Sequence, residues 1–325
     1  MLDQRTSAFL EEFLAKPGGD PERLDRFLLH GPYRGRRGGR PRLKLAFYDF
    51  WPEFDTGRNF FIEILSSRFD LSVVEDDSDL AIVSVFGGRH RAARSRRTLF
   101  FTGENVRPPL DGFDMAVSFD RVGDPRHYRL PLYVMHAYEH MREGAVPHFC
   151  SPVLPPVPPS RAAFAERNFC AFLYKNPNGE RRNRFFPALD ARRRVDSVGW
   201  HLNNTGSVVK MGWLAKIRVF ERYRFAFAFE NASHPGYLTE KILDVFQAGA
   251  VPLYWGDPDV ERQVAAGSFI DVSRFATDEE AAEHILALDG DYDAYCAYRA
   301  VAPFLGTEEF HFDAYRLADW IESRL

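Results

Sequence analysis

Charged and polar residues cluster where a buried strand passes into a helix, and their types suit the binding of an anion. Glu230 and Asn231 end a strongly apolar strand, and Glu240 and Lys241 begin the helix that follows. A helix start offers free N–H groups and the positive end of the helix dipole, which both favour a phosphate. A cation opposes that dipole, and only six of the 42 lysine and arginine residues are lysines. An anion beside Lys241 would resolve the conflict, and a surface lysine that extends into solvent is the alternative.

A second basic cluster follows another predicted strand, over residues 169–173. Arg182 lies near the start of the helix predicted over residues 180–189, again at the carboxyl edge of the sheet. Arginine presents a planar fork of donors that can bind a phosphate through two hydrogen bonds. A solvated basic helix face is the alternative, and the sequence alone scarcely decides between the two for Arg182.

A carboxylate in the first half of the chain is placed to act as a base. Glu104 follows a strand predicted over residues 98–101 and the glycine at position 103. A carboxylate at the carboxyl end of a strand could remove a proton from the hydroxyl group of an acceptor. A turn or capping role is the alternative interpretation of Glu104.

Short apolar strands separated by helices or loops must position these residues, and this pattern favours parallel sheets that are covered on both faces. Two such α/β domains suggest a ligand cleft at the carboxyl ends of the strands. The predicted strands cover residues 43–49, 79–86, 98–101, 115–119, 169–173, 194–199, 225–229, 251–254 and 269–272. The predicted helices cover residues 1–30 with a break, 59–69, 180–189, 237–248, 279–288 and 312–325.

The chain divides into five predicted segments. The linker between the two α/β domains holds five prolines in ten residues, so it should be stiff and extended. The glycine-rich basic part of the N-terminal arm suits a mobile connector, and contact with anionic lipid or an acidic partner is the minority alternative. The segments are the arm (1–42), the first α/β domain (43–150), the linker (151–160), the second α/β domain (161–311) and a C-terminal helix (312–325).

Composition excludes several classes of protein. The chain has 325 residues, which suits two domains, and its net charge of −4 argues against nonspecific nucleic-acid binding. No stretch approaches the ~18 consecutive apolar residues of a membrane-spanning helix. The first sixteen residues mix charged and apolar types, unlike a signal peptide, and the three scattered cysteines exclude a disulfide framework. We therefore expect a cytoplasmic protein, with peripheral contact at the inner face of the membrane left open.

Several motifs occur in an order that resembles the α-1,3/1,4-fucosyltransferase family, especially its bacterial members. The resemblance extends from about residue 43 to residue 271, and the Y-x-T-E-K block is the most specific part of it. The motifs lie at residues 102–105, 229–231, 237–241 and 248–256, with further similarity to the bacterial enzymes at residues 49–52 and 130–133.

This resemblance implies a GT-B architecture, in which two Rossmann-like domains with parallel sheets face each other across a cleft. The family binds the acceptor on the N-terminal domain and GDP-fucose on the C-terminal domain. By resemblance, Glu104 is the general base, Glu240 contacts the fucose, and both are counted as catalytic. The remaining donor positions that the resemblance implies are Arg182, Tyr237 and Lys241 for the diphosphate and ribose, with Glu230 and Asn231 in the same motif.

One position departs from the pattern of some relatives. They carry a basic side chain on the diphosphate near residues 199–204, where this chain offers His201, a weaker and pH-dependent cation. We still expect His201 at the donor site. Because arginine and lysine side chains can neutralise a diphosphate, we expect no metal ligand and no required cofactor, and a divalent metal ion would at most stimulate the reaction.

The expected activity is the inverting transfer of L-fucose from GDP-β-L-fucose to a glycan hydroxyl, with O3 of N-acetylglucosamine in an N-acetyllactosamine-type oligosaccharide as acceptor. The alternatives are a GT-B transferase with another nucleotide-sugar donor and an inactive glycan-binding module. Residues 136–140 fit the H-x-x-E-H pattern of some zinc proteases, for which a surface helix is the preferred interpretation. Residues 257–259 fit a D-x-D metal motif, for which a turn is preferred.

Overall fold

The described part of the chain forms two compact units, each built on one parallel β-sheet. The N-terminal unit contains residues 39–136 together with the C-terminal segment 314–325, and the C-terminal unit contains residues 157–304. No described helix is both long enough and apolar enough to cross a lipid bilayer. The computed structural model describes residues 39–136, 157–209, 212–304 and 314–325.

Several predictions lie wholly or largely outside these described residues. They are the helices of the N-terminal arm, most of the proline-rich linker, and all of the H-x-x-E-H pattern except His136. The end of the linker is described, and there Ser160 caps a short helix.

Six parallel strands form the sheet of the N-terminal unit, in the order β2-β1-β3-β4-β5-β6. The apolar runs that predicted β1, β3, β4 and β5 are buried in this sheet. The sequence did not reveal β2 and β6, because β2 is largely exposed and β6 has only three residues. The strands are β1 (Arg42–Tyr48), β2 (Asp70–Val73), β3 (Ser78–Val83), β4 (Ser95–Phe101), β5 (Met115–Ser118) and β6 (His127–Arg129).

Helix α1 (Phe60–Ser66) connects β1 to β2 and lies within the predicted range 59–69, with Asn59 as its N-cap. The Asn59 side chain accepts a hydrogen bond from the backbone N–H of Ile62 at 3.1 Å, which caps the helix. Four apolar side chains of α1 are buried. They are Phe60, Phe61, Ile64 and Leu65, the face that their helical spacing predicts.

The C-terminal helix packs on the N-terminal unit. This helix, α8 (Tyr315–Glu322), lies against α1, and the Arg68 side chain donates to Asp319 at 2.7 Å. The Trp320 ring lies 5.5 Å from the ring of Tyr128 in the last strand of the sheet. The end of the chain therefore completes the unit in which the first strands lie.

Five parallel strands form the sheet of the C-terminal unit, in the order β11-β10-β9-β7-β8. Its core is rich in aromatic rings because alternate residues of the central strand are phenylalanines. The strands are β7 (Asn168–Phe172), β8 (Val195–Ser197), β9 (Tyr223–Phe229), β10 (Val251–Trp255) and β11 (Ile270–Asp271). The helices are α2 (Arg161–Glu166), α3 (Glu180–Asp190), α4 (Trp213–Phe220), α5 (Glu240–Gln247), α6 (Asp278–Gly290) and α7 (Tyr292–Ala300).

Two predictions for this unit need correction. The helix predicted from residue 237 begins at Glu240, because Thr239 is its N-cap and Tyr237 belongs to the preceding loop. Helices α2, α4 and α7 were not predicted. Helix α2 has only six residues, and aromatic or β-branched residues obscure the helical periodicity of α4 and α7.

Both sheets reverse their strand order around their first strand. In the N-terminal unit β1 lies between β2 and β3, and in the C-terminal unit β7 lies between β8 and β9. In open parallel sheets of this kind, ligands bind outside the carboxyl ends of the strands at the point where the order reverses. The topology therefore singles out one candidate ligand position in each unit, after β1 and β3 and after β7 and β9.

A buried ion pair joins the central strand of the C-terminal unit to α6. The Arg224 guanidinium donates to Asp289 at 2.6 Å and to the backbone carbonyl of Arg167 at 2.8 Å. The side chains of Arg224 and Asp289 are 8% and 0% exposed. A buried pair is costly to break, because removal of one partner leaves an uncompensated charge.

We expect Asp289→Ala to lower the free energy of unfolding of the C-terminal unit by about 3 kcal/mol, since Arg224 loses its counter-charge. The matched control is Asp293→Ala, which removes a surface pair with Arg161 and should change stability by no more than about 0.5 kcal/mol. Urea unfolding followed by circular dichroism measures both. Equal losses in the two variants would contradict this account of the buried pair.

Candidate functional site

A cavity of about 180 Å³ lies at the point where the strand order of the C-terminal sheet reverses. The segment after β7, the residue Asn231 after β9, and the first turn of α5 form its walls. Its lining residues are Leu173, Tyr174, Lys175, Asn176, Lys216, Phe220, Phe227, Asn231, Glu240, Lys241 and Asp244. The cavity therefore brings together three of the predicted site residues, namely Asn231, Glu240 and Lys241.

A hydrogen-bonded ion pair fixes Lys241 at the edge of this cavity. The Lys241 ammonium donates to Glu230 Oε2 at 3.0 Å and to the Thr239 hydroxyl at 2.9 Å. That hydroxyl donates in turn to Glu230, and the Thr239 backbone N–H donates to Glu230 Oε1 at 2.8 Å. Glu230 is 1% exposed. The predicted donor-motif residue Glu230 thus lies behind the cavity, where it anchors Lys241.

Close packing around Glu230 leaves no room for a side chain at Gly256, just after β10. A Cβ atom at Gly256 would lie 2.5 Å from Glu230 Cγ and 2.8 Å from the Tyr254 hydroxyl. The glycine at the end of the residue 248–256 motif is therefore a steric requirement of the Glu230 position.

The ion pair also explains a lysine at the start of a helix. Burial favours the neutral amine, but the neighbouring Glu230 and Glu240 raise the pKa of Lys241, so its side chain remains a cation at neutral pH. The backbone N–H groups and the dipole of α5 add positive potential at the same place. The combination suits a phosphate group in the cavity.

Lys216 in α4 is a further cation in the cavity, beside Lys241 and Lys175, and the sequence analysis missed it. Its ammonium lies 3.3 Å from Asp244 and 3.5 Å from Glu240. Burial favours its neutral form, but these two carboxylates raise the pKa of Lys216. The scarcity of lysine in this chain was the available signal, because it distinguished Lys216 as it distinguished Lys241.

Arg182 lies beneath the cavity and is completely buried. Its guanidinium donates to Asn231 Oδ1 at 2.9 Å and to the backbone carbonyl of Asn176 at 2.7 Å. The guanidinium carbon lies 4.3 Å from the centre of the Tyr174 ring. Arg182 therefore fixes three residues of the cavity wall, and direct contact with a ligand stays a prediction.

Tyr237 and His201 do not appear among the described residues that line the cavity. Tyr237 is 3% exposed and lies in the loop before α5. The His201 ring nitrogen Nε2 lies 2.7 Å from the side-chain oxygen of Asn183. Burial and the nearby Arg182 lower the pKa of His201, so its ring is mostly neutral at pH 7. Contact of either residue with a diphosphate stays a prediction.

Glu104 lies in the N-terminal unit, directly after the carboxyl end of β4. The Thr102 hydroxyl accepts from the backbone N–H of Glu104 at 2.9 Å and donates to its carbonyl at 3.1 Å. This local turn fixes the backbone of Glu104 while its side chain is exposed. The carboxylate is therefore accessible at the edge of the sheet where a ligand would bind.

A larger cavity of about 570 Å³ lies in the C-terminal unit, beside α3 and the start of α6. None of the predicted site residues lines it. Its Arg181 and Arg184 side chains both pair with Asp278, at 2.6 Å and 3.0 Å. The smaller cavity is the better candidate, because it lies where the strand order reverses and is lined by three of the predicted site residues.

Two family models match the chain. The model "Glycosyltransferase family 10 (fucosyltransferase) C-term" matches residues 165–312, and "Alpha-(1,3)-fucosyltransferase FucT N-terminal domain" matches residues 45–136. The chain belongs to glycosyltransferase family 10. The family that the motifs indicated is therefore confirmed.

Curated relatives align with different lengths of this family 10 chain. "Alpha-(1,3)-fucosyltransferase FucT" of Helicobacter pylori is 30% identical over 288 residues, which are 78% of this chain and 59% of that protein. The human enzyme "4-galactosyl-N-acetylglucosaminide 3-alpha-L-fucosyltransferase FUT6" is 30% identical over 148 residues, 44% of this chain and 39% of its own. The chain thus spans well under two thirds of these relatives.

Solved structures confirm the predicted GT-B fold. A crystal structure of an α1,3-fucosyltransferase with GDP-fucose superposes with a TM-score of 0.73 at 24% identity, covering 94% of this chain and 96% of the other. The Anabaena protein HepE in complex with UDP-glucose gives a TM-score of 0.52 at 8% identity, covering 87% of this chain and 100% of the other. At these identities the likeness concerns the fold alone.

We expect Thr239→Val to lower the free energy of unfolding by about 2–3 kcal/mol, because the helix loses its cap and buried Glu230 loses a donor. The matched control is Thr277→Val, which removes the exposed N-cap of α6 and should cost about 1 kcal/mol. Urea denaturation compares the two. A loss for Thr239→Val no greater than that for Thr277→Val would show that the hydroxyl adds nothing beyond capping.

Proposed function

We propose that this protein is an inverting α-1,3-fucosyltransferase. In this proposal it transfers L-fucose from GDP-β-L-fucose to O3 of N-acetylglucosamine in an N-acetyllactosamine-type acceptor. Membership of glycosyltransferase family 10 supports the reaction class. The single observation that carries the donor assignment is the cationic cavity at the start of α5, where Lys241 is fixed against Glu230.

The cavity suits the stabilisation of a leaving diphosphate. Negative charge grows on GDP as the bond to fucose breaks, and fixed cations and N–H groups that face this charge lower the barrier. Lys241 and the first turn of α5 supply both, and Lys216 adds a further positive charge nearby. Glu240 lies between the two lysines, 3.5 Å from Lys216 and 3.8 Å from Lys241. In our proposal its carboxylate accepts hydrogen bonds from donor hydroxyl groups, those of fucose foremost.

Arg182 has a positioning role in this proposal. It is completely buried, and its two terminal nitrogens donate to Asn231 and to the backbone of Asn176, which both line the cavity. In this proposal Arg182 orders the part of the wall that faces the diphosphate, and its direct contact with the diphosphate stays a prediction from the sequence. We assign Tyr237, buried in the loop before α5, to the ribose side of the same site.

Glu104 is the proposed general base. A single displacement at the anomeric carbon converts the β-linked donor into an α-fucoside, and the attacking hydroxyl must lose a proton. A positioned carboxylate contributes a factor of roughly 10²–10⁴ to such a step. The turn made with Thr102 presents Glu104 for this role.

The positive charge of the cavity also supports catalysis without a metal cofactor, since lysine ammonium groups can neutralise the diphosphate. We expect the transfer rate in EDTA to stay within about twofold of the rate in added Mg²⁺. A rate about 10²-fold lower in EDTA would indicate that a metal ion stabilises the transition state. Initial rates of GDP release measure this directly. Abolition of transfer by the chelator, with recovery on addition of Mg²⁺, would contradict the proposal.

The two proposed roles make separable predictions for binding and turnover. Glu104→Gln should leave the Kd for GDP within about twofold and lower kcat by roughly 10²–10⁴-fold, because the base acts after binding. The double variant Glu230→Gln/Lys241→Met leaves no unpaired buried charge and should weaken GDP binding by about 100-fold or more. Calorimetry with GDP and turnover of GDP-fucose measure both.

The outcomes distinguish the alternatives. Equal loss of GDP affinity in both variants would reject this division of roles. Tight GDP binding with no fucose transfer to any of a panel of disaccharides would favour an inactive glycan-binding module. Turnover of another GDP-sugar in preference to GDP-fucose would favour a GT-B transferase with a different donor.

A further inference from the structure

Exposed aromatic side chains lie at the ligand edge of the N-terminal sheet. Trp51 follows β1 and is 40% exposed, and Phe86 follows β3 and is 51% exposed. The strand order reverses between β1 and β3, as it does between β7 and β9 in the C-terminal unit. The aromatic residues therefore occupy in one sheet the position that the cationic cavity occupies in the other.

These side chains form a continuous aromatic platform, which consists of Phe50, Trp51, Phe54 and Phe86. Phe50 and Phe54 stack with ring centres 3.9 Å apart, and Trp51 lies edge-on to Phe54 at 5.0 Å. The Trp51 and Phe86 rings lie 6.3 Å apart at 83°. Two partly exposed rings thus meet at nearly a right angle.

The platform rests on a rigid support. Asp49 has a left-handed φ of 59° and joins the loop after β1 to the loop after β3. Its carbonyl accepts a hydrogen bond from the Phe86 N–H at 2.8 Å. Its carboxylate accepts from the Arg89 N–H at 2.8 Å and from the His90 ring. A Cβ atom at Gly87 would lie 2.6 Å from this carboxylate. Exposed apolar rings on so fixed a backbone are typical of a binding surface rather than of a mobile loop.

The platform is also continuous with the segment of Glu104. Phe50 stacks on Phe101 at 6.1 Å between ring centres, and Phe101 ends β4 three residues before Glu104. Strand β3 lies next to β4 in the sheet and β1 lies next to β3, so Phe86 follows the strand beside that of Glu104 and Trp51 follows the strand after it. A sugar whose hydroxyl reaches Glu104 would thus place the next sugar of the chain over the platform.

We propose that Trp51 and Phe86 bind a pyranose ring of the acceptor, the one linked to the sugar that receives the fucose. This inference rests on the proposed function, which names the acceptor but no residue that binds its second sugar. The occupant is a hexose with several C–H groups on one face, such as the galactose of N-acetyllactosamine. Its weakly positive C–H face complements the negative face of an aromatic ring, and its hydroxyls remain in solvent.

The test compares two acceptors in variants of the platform. With N-acetyllactosamine, Trp51→Leu and Phe86→Leu should each raise the acceptor KM about tenfold, because leucine keeps apolar area but removes the aromatic face. With a β-glycoside of N-acetylglucosamine alone, both variants should match the wild type. Trp51→Phe should retain most of the affinity, and Val73→Ala, at a residue 43% exposed on the outer strand β2, is the control.

Two further measurements separate this inference from the proposed function. The Kd for GDP should be the same in all variants, because the platform and the proposed donor cavity are built from residues of different units. NMR titration of N-acetyllactosamine into the GDP-loaded protein tests the platform without any transfer. A wild type that binds this disaccharide through Trp51 but transfers no fucose would overturn the proposed function and leave the platform intact.

Other outcomes overturn the platform itself. An unchanged acceptor KM and unchanged NMR affinity in Trp51→Leu and Phe86→Leu would do so. The same increase in KM for both acceptors would place the rings at the reacting sugar and contradict the assignment. A wild-type dimer in sedimentation that Trp51→Leu converts to a monomer would show that a second copy of the chain covers these rings.

Discussion

The ion pair between Lys241 and Glu230 is the interaction on which the proposed donor site depends. A lysine in the first turn of a helix faces an unfavourable dipole, and a buried glutamate without a partner would be more costly still. Together they form a bonded unit, which the Thr239 hydroxyl joins by accepting from one and donating to the other. The pair therefore makes a positive charge permanent at a place where the backbone already presents positive potential.

The two units use one topology for two kinds of surface. Each sheet has its first strand between the second and third, so each has one position where ligands are expected. In the C-terminal unit this position is a cavity lined by three lysines, and in the N-terminal unit it carries exposed aromatic rings, with an exposed carboxylate after β4 of the same sheet. A charged nucleotide suits the lysine-lined cavity, and a neutral oligosaccharide suits the aromatic surface. This match of chemistry is the basis for assigning one ligand to each unit.

Two buried charged residues of the C-terminal unit hold residues of the cavity wall. Arg182 does not line the cavity, but Asn231, Asn176 and Tyr174 do, and all three contact it. Glu230 is likewise behind the surface. Burial makes these groups costly to misplace, because each would be left without a partner in a medium that solvates charge poorly. The motif residues therefore include the support of the site as well as its surface.

The sequence by itself determined the fold class, most of the strands and the segment around residues 225–256 that carries the donor motif. Buried parallel strands are visible as continuous apolar runs in the sequence. The start of a helix is visible in the same way, from local signals such as a capping residue, and Lys241 is notable there because a cation opposes the helix dipole. Strands β2 and β6 escaped because short or exposed strands carry no such run. Helix α4, and with it Lys216, was missed because half of its eight residues are aromatic or β-branched types that favour strands.

Only the tertiary structure decided which of these residues meet. It placed Arg182 under the cavity rather than in it, added Lys216 to the wall, and set His201 against Asn183. It also brought Trp51 and Phe86, 35 positions apart in the chain, to adjacent strands. The physical reason is that strand order and side-chain burial depend on contacts between distant segments, and no local pattern of residue types records which distant segment will be the neighbour.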